Sequence, residues 1–227
     1  MNSSEQQPSQ PVGDSPAGNS TSSKAGATGI AWWLFPVFFL SGTAALIYQI
    51  AWQRALFAVY GLDILSVTVV VTAFMLGLGL GSLLGGALSK IWPRSAIPLF
   101  AVSELGIGAF GFFSVALFQK VAASTGGLGH LATGVVAFLL VVIPTTLMGA
   151  TLPLLVAHAT NRSGNVGRSV GNLYFVNTLG AAFGAYLTVR VLLGLLGLSA
   201  TVQATAGLNA SLGLFVLACH WPKRRTT

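Results

Sequence analysis

Six long apolar stretches leave this chain few folds other than a bundle of membrane-crossing helices. They lie at about 31–57, 65–88, 97–118, 130–158, 169–193 and 199–220. Each is long enough to cross the ~30 Å hydrocarbon core of a bilayer as a helix, which takes roughly 20 residues. None alternates strictly between polar and apolar residues, as the strands of a membrane barrel do. Since a helix satisfies its own backbone hydrogen bonds in lipid, the sequence predicts an all-α integral membrane protein with six transmembrane helices over residues 30–220.

The two ends of the chain differ from this apolar region. Residues 1–29 are rich in Ser, Gly, Pro, Gln and Asn, and Val12 is their only bulky aliphatic residue after the initiator. Such a segment cannot bury enough apolar surface to fold, so a disordered cytoplasmic tail is predicted. Residues 221–227 contain three basic side chains and are predicted to be a basic cytoplasmic C-terminus.

The basic residues predict the orientation of the six spans. One side of the membrane receives the tail, the second and fourth loops and the C-terminus, with Lys24, Lys90, Arg94, Arg162, Arg168, Lys223, Arg224 and Arg225. The other side receives Lys120 and Arg190, with Arg54 near it. Because cytoplasmic loops carry the excess of Lys and Arg, both termini are predicted to be cytoplasmic. The net charge of +7 is scattered singly between apolar runs, which argues against a nucleic-acid partner.

Glycines in the second span admit two interpretations. The segment GLGLGSLLGGAL at 77–88 has the spacing of a phosphate-binding loop, but such a loop lies at a turn between a strand and a helix. On a helix, Gly77, Gly81 and Gly85 recur every fourth residue and form a stripe against which another helix packs closely. Gly180 and Gly184 form a similar pair in the fifth span. The two spans are the middle helices of two three-helix groups, which indicates a 3+3 inverted repeat like half of a major facilitator transporter.

Glu104 is the main candidate for a functional group inside the membrane. It lies in the third span, and a charge at this depth is costly unless it is paired or hydrated. Tyr174 and Asn177 lie at a comparable depth in the fifth span, so a hydrogen bond from Glu104 to either is predicted. Glu104 would then either bind a cation or proton, or serve as a neutral glutamic acid that ties the third helix to the fifth.

A second polar cluster lies in the first span. Tyr48 and Trp52, and likewise Gln49 and Gln53, are one helical turn apart on adjacent stripes. Such a surface can hold an amine by hydrogen bonds and cation–π contacts. The alternative is an aromatic belt at the membrane interface combined with hydrogen bonds between helices.

The sequence does not indicate a disulfide bond or a metal-binding site. Cys219 is the single cysteine and has no partner in the chain for a disulfide. His130, His158 and His220 are dispersed in sequence. No metal site and no cofactor is predicted.

Several segments resemble the membrane region of bacterial fused facilitator-like/spermidine synthase proteins. They are FFLSGTAALIYQIAWQRALFAVYG, the glycine-rich second span, TTLMGATLPLLVAHAT and GRSVGNLYFVNTLGAAFGAYL. The resemblance covers nearly all of residues 35–198, and its most specific pieces are MGATLPLL at 148–155 and GRSVGNLY…NTLGA at 167–181. This resemblance implies a facilitator-like bundle in a bacterial inner membrane, with a polyamine as the suggested substrate.

The resemblance also implies a soluble aminopropyltransferase domain after the membrane region, whereas this chain ends at Thr227. The four acidic residues of the chain are Glu5, Asp14, Asp63 and Glu104. They leave no acidic polyamine pocket outside the spans, so the expectation is that this chain is not an enzyme. Gln49 also departs from the family, which commonly has an acidic residue there.

Two functions from different classes follow. The first is a transporter subunit for a small cation such as a polyamine, which would need a homo-oligomer or a second six-helix partner to complete a path. The second is a membrane anchor or scaffold, without transport, for a separately encoded soluble synthase-like or other partner. Fold similarity alone does not decide between them.

Overall fold

The computed structural model describes residues 32–60, 63–125, 127 and 130–220. The predicted tail at 1–29 and the predicted basic segment at 221–227 lie outside these residues. The described chain is helical, and its main helices are α1 (Leu34–Tyr60), α2 (Asp63–Ile91), α3 (Ala96–Thr125), α4 (His130–Ser163), α5 (Val166–Leu187) and α6 (Gly197–His220).

The prediction of six helices is confirmed. Six helices in the described part of the chain are long and apolar enough to cross a membrane. Large apolar side chains such as Leu83, Phe113 and Phe175 are exposed on the outside of the bundle. In water such a surface would be unstable, so the six apolar helices indicate a lipid bilayer environment.

Two helices extend further than the apolar runs predict. α3 continues to Thr125 and α4 to Ser163, past the predicted ends at 118 and 158. The added residues, QKVAAST and ATNRS, are mostly good or neutral helix formers, so the helix continues after the hydrophobicity falls.

The helix of the fifth span continues past α5 with irregular geometry, to Leu195. The backbone forms a π-helix over Thr188–Leu192 and a short helical turn over Leu193–Leu195. Gly197 then adopts a positive φ of 73°, which favours glycine, and α6 begins there.

The closest helix pairs are α1 with α5, α2 with α4, and α3 with α6. Gly180 and Gly184 of α5 lie against the backbone oxygens of Phe39 and Thr43 on α1. Because both contacts advance in the same direction along the chain, α1 and α5 run parallel. A methyl group on either glycine would overlap the carbonyl oxygen it faces, so these glycines permit the close approach.

The second stripe packs α2 onto α4 in the same way. Gly81 and Gly85 lie against the backbone oxygens of Thr146 and Ala150 on α4, and Gly77 lies against the same helix. α2 and α4 also run parallel, whereas α3 and α6 run antiparallel. α1 and α4 touch little, and a cavity opens between them.

Candidate functional site

Glu104 lies at the centre of a buried polar cluster formed by three helices. Its side chain is fully buried. The Ser41 hydroxyl of α1 donates to Oε1 and the Asn209 amide of α6 donates to Oε2, each at 2.6 Å. Both donors are uncharged, so the carboxyl group is held by hydrogen bonds from neutral partners. We call these three residues the Glu104 cluster.

The predicted hydrogen bond from Glu104 to the fifth span is wrong. Within the described residues, Glu104 bonds to Ser41 and Asn209 instead of Tyr174 or Asn177. The reason is the packing of α5, which lies on α1 through its glycines and does not pack extensively on α3. The tie that a neutral glutamic acid would make therefore joins α3 to α1 and α6.

A cavity of about 230 Å³ adjoins the Glu104 cluster. Ser41 and Asn209, the two donors to Glu104, line it directly. Tyr174 and Asn177 line it as well, and Tyr174 is 59% exposed. The remaining lining residues are Phe38, Ala45, Leu78, Ser82, Ile107, Met148, Gly149, Thr151 and Leu152. The structure thus brings Tyr174 and Asn177 to the cavity that Ser41 and Asn209 line, while Glu104 lies behind these two donors and does not line the cavity itself.

One acceptor on this cavity has no partner. Asn209 is 1% exposed, and its Oδ1 lacks a hydrogen-bond partner among the described residues. A buried polar atom in this state costs about 1–3 kcal/mol. The carboxyl group, Asn209 Oδ1 and the second lone pair of Ser41 Oγ are all acceptors. The arrangement is suited to a cation that donates hydrogen bonds.

Tyr48 and Trp52 lie elsewhere, in the core of the bundle. Their rings stack at 4.8 Å between centroids, and both are fully buried. Trp52 Nε1 donates to Ser114 Oγ on α3 at 2.9 Å, which is a hydrogen bond between helices. The rings are inside the protein, so they do not form a belt at the membrane interface.

Gln49 and Gln53 are half-buried on α1 and do not line the cavity beside Glu104. Gln53 lines a separate open cavity of about 320 Å³ on the α1 surface, with Ile50, Arg54 and Phe57. The predicted substrate-binding residues therefore fall into three places: Glu104, Tyr174 and Asn177 near one cavity, Tyr48 in the core, and the two glutamines on α1.

Sequence reasoning missed Ser41 and Asn209. A single asparagine in the middle of an apolar span is a usable signal, because amides in membrane helices bond to polar groups of other helices. Ser41 carries no such signal, since small hydroxyl residues recur throughout these spans.

Two histidines predicted to be dispersed are neighbours in the fold. The rings of His158 on α4 and His220 on α6 are 6.3 Å apart between centroids. Across the described residues, no three or more His, Cys, Asp or Glu side chains are grouped as metal ligands would be.

Comparison with known proteins shows similarity to part of one longer protein. It is 31% identical over 189 residues to Polyamine aminopropyltransferase 2 of Streptomyces coelicolor. The aligned region covers 78% of this chain and 33% of that protein, so the chain spans about a third of the length of the relative it matches. No family model and no solved structure matches the chain.

This similarity confirms the spermidine synthase-like part of the resemblance and corrects one expectation. The expectation that the chain is not an enzyme is contradicted, because the similar protein is named for an aminopropyltransferase, which is an enzyme. That expectation took the scarcity of acidic residues in this chain as decisive. The matched region is a minor part of a longer protein, so its few acids say little about the activity of the whole.

Proposed function

We propose that this chain forms the membrane part of a polyamine aminopropyltransferase, and that the cavity beside Glu104 binds a polyamine cation. The similarity to an aminopropyltransferase over most of the chain supports the first half of this proposal. The Glu104 cluster supports the second half. A carboxyl group in a membrane bundle is costly, and its usual use is to handle a cation or a proton.

The single observation that carries the proposal is the position of the donors to Glu104. Ser41 and Asn209 bind the carboxyl group and also line the cavity. An ammonium group has three N–H donors, and the cluster offers carboxylate, amide and hydroxyl oxygens as acceptors. Apolar walls at Phe38, Ile107 and other positions suit the methylene chain of an aliphatic amine.

We infer further that the six helices form two inverted three-helix repeats, as in half of a facilitator transporter. Exchanging α1 with α4, α2 with α5 and α3 with α6 turns the α1–α5 pair into the α4–α2 pair and returns the α3–α6 pair to itself. The three closest helix pairs are thus unchanged by the exchange. Inverted repeats with a site near the membrane midplane are typical of secondary transporters.

Transport of the cation is the activity that this arrangement favours. Tyr174 and Asn177 also line the cavity, and the exposed Tyr174 would contact an entering amine. A facilitator path is built between two six-helix units, so a second copy or another six-helix partner would complete it. The excess of Lys and Arg on one side supports cytoplasmic termini, which would place a soluble synthase domain or partner in the cytoplasm.

The test is binding of radiolabelled spermidine and putrescine to the purified protein in lipid nanodiscs. Saturable binding is expected for the wild type. Glu104→Gln should weaken it at least tenfold, about 1.4 kcal/mol, because the isosteric amide carries no charge. Gln119→Glu is the matched control, since Gln119 is exposed near the end of α3, past its apolar run, and does not line the cavity.

Absence of binding by the folded wild type would reject the amine site. The scaffold function would then be favoured, in which the bundle recruits a soluble synthase-like partner without handling the amine. Equal binding by the wild type and Glu104→Gln would instead move the amine site away from Glu104.

A further inference from the structure

Glu104 and Asn209 occupy matching positions in the two halves of the bundle. Gly108 of α3 and Gly213 of α6 are separated by the same number of residues as Ala101 and Ala206. The contacts follow the same relation, because Gly108 lies against the backbone oxygen of Ala206 and Gly213 against that of Ala101. Glu104 and Asn209 are separated by this same number of residues, so they are matching positions.

The other helix pairs obey the same kind of relation. Gly42 on α1 lies against the backbone oxygen of Asn177 on α5, and Gly149 on α4 lies against that of Leu78 on α2. The number of residues that separates Gly42 on α1 from Gly149 on α4 also separates the α1 residues that α5 contacts from the α4 residues that α2 contacts. The matching contact pairs are Gly180–Phe39 with Gly81–Thr146, and Gly184–Thr43 with Gly85–Ala150.

Matching positions can touch each other only next to the axis that relates the two halves. Asn209 Nδ2 and Glu104 Oε2 are 2.6 Å apart, so this pair lies at the axis. The cavity lies there too, since it is lined by the matched pair Leu78 and Asn177 and by the matched pair Ser41 and Met148. The two residues differ in their head groups, since one half supplies a carboxyl group and the other an amide, and the Glu104 side chain is one methylene group longer.

We propose that Glu104 and Asn209 form a single site for one primary ammonium group at this axis, and that either half can supply its carboxyl group. The proposal rests on the proposed amine-binding function for its ligand. Asn209 Oδ1, buried and without a partner in the described part of the chain, is the acceptor that the ammonium group would satisfy. Asn209 is thus a binding residue beside Glu104 and has more than a packing role.

An exchange of the two residues tests this proposal. The proteins are the wild type, Glu104→Asn, Asn209→Glu and the double exchange Glu104→Asn/Asn209→Glu, all in nanodiscs, with radiolabelled putrescine as the probe. Glu104→Asn should lose at least tenfold in affinity. The double exchange should return to within about threefold of the wild type, a recovery that marks two coupled positions.

The matched control restores the net charge away from the axis. Glu104→Asn/Gln119→Glu places the new carboxyl group on the exposed end of α3, past its apolar run, so it should remain as weak as Glu104→Asn. Recovery in this control, or the absence of recovery in the double exchange, would overturn the proposal. A double exchange that fails to fold while Glu104→Asn folds would also overturn it.

Thermal unfolding separates this proposal from the proposed function. Both single variants should unfold at a lower temperature than the wild type, and the double exchange should recover most of the difference. If the unfolding temperature recovers in the double exchange but the wild type does not bind putrescine, the amine ligand is rejected and the interchangeable pair is kept. Putrescine binding by the wild type without recovery in the exchange would keep the amine site and reject the interchangeable pair.

Discussion

At the scale of single residues, some buried polar groups have a hydrogen-bond partner and others have none among the described residues. Trp52 Nε1 has its partner in Ser114, whereas the Tyr48 hydroxyl is buried against Gly111 and has no hydrogen-bond partner among the described residues. An unsatisfied buried hydroxyl lowers stability, while the Tyr48 ring contributes its stack with Trp52. Tyr48 therefore has a stabilising ring and a destabilising hydroxyl.

Tyr48→Phe is expected to raise the free energy of unfolding by up to about 1 kcal/mol, because it keeps the ring and removes the unsatisfied group. Denaturant unfolding in mixed micelles measures this change. Tyr186→Phe is the control, since Tyr186 is exposed and the change should be neutral. A loss of amine binding in Tyr48→Phe would contradict this assignment and place the hydroxyl in the substrate site.

Glu104 could be found from sequence because a carboxylate in an apolar span is rare and costly. Its partners could not. Ser41 and Asn209 lie far from Glu104 in the chain, and their meeting depends on how α1 and α6 pack on α3. Depth in the membrane alone suggested Tyr174 and Asn177, which share the depth but lie on a helix that packs elsewhere.

At the scale of helices, the glycine stripe of α2 makes a sharp prediction. Gly81→Ala should lower the unfolding free energy by about 1–3 kcal/mol, because the added methyl group overlaps the Thr146 carbonyl oxygen and forces α2 from α4. Gly79→Ala, two residues away on the same helix, has no atoms near its added methyl group. It should be neutral or stabilising by up to about 1 kcal/mol, since alanine favours the helix.

Unfolding of both variants under identical detergent conditions measures the difference. Equal effects at the two positions would show that the close approach of α2 and α4 does not depend on Gly81. The stripe itself was readable from the spacing of the glycines. The helix that packs on the stripe could not be predicted, because several spans contain small residues and the packing of the whole bundle decides which of them meet.

At the scale of the whole molecule, the distribution of basic residues predicts the orientation. A reporter active only outside the cytoplasm should be active when fused after Gly127, between α3 and α4. A reporter active only in the cytoplasm should be active when fused after Gly164, between α4 and α5. The reverse pattern at both sites would overturn the orientation, and activity of one reporter at both sites would overturn the six-span topology.

The number of spans and their approximate limits followed from hydrophobicity, because the bilayer sets the length of an apolar helix. The ends of α3 and α4 could not be predicted from hydrophobicity, since the end of a helix depends on backbone hydrogen bonding and capping groups. Asn165 shows the effect of a capping group, because its side chain accepts from the Arg168 backbone N–H and begins α5 at Val166, before the apolar run predicted from residue 169.

The pairing of α1 with α5 and α2 with α4 has a consequence for biosynthesis. When the ribosome has made α1 to α3, the partner surfaces on α4 and α5 do not yet exist, so the faces of α1 and α2 that they cover must wait beside lipid or the insertion machinery. The α2–α4 interface can close only after α4 has entered the membrane, and the α1–α5 interface only after α5 has done so. Assembly therefore depends on contacts between parts of the chain that are distant in sequence.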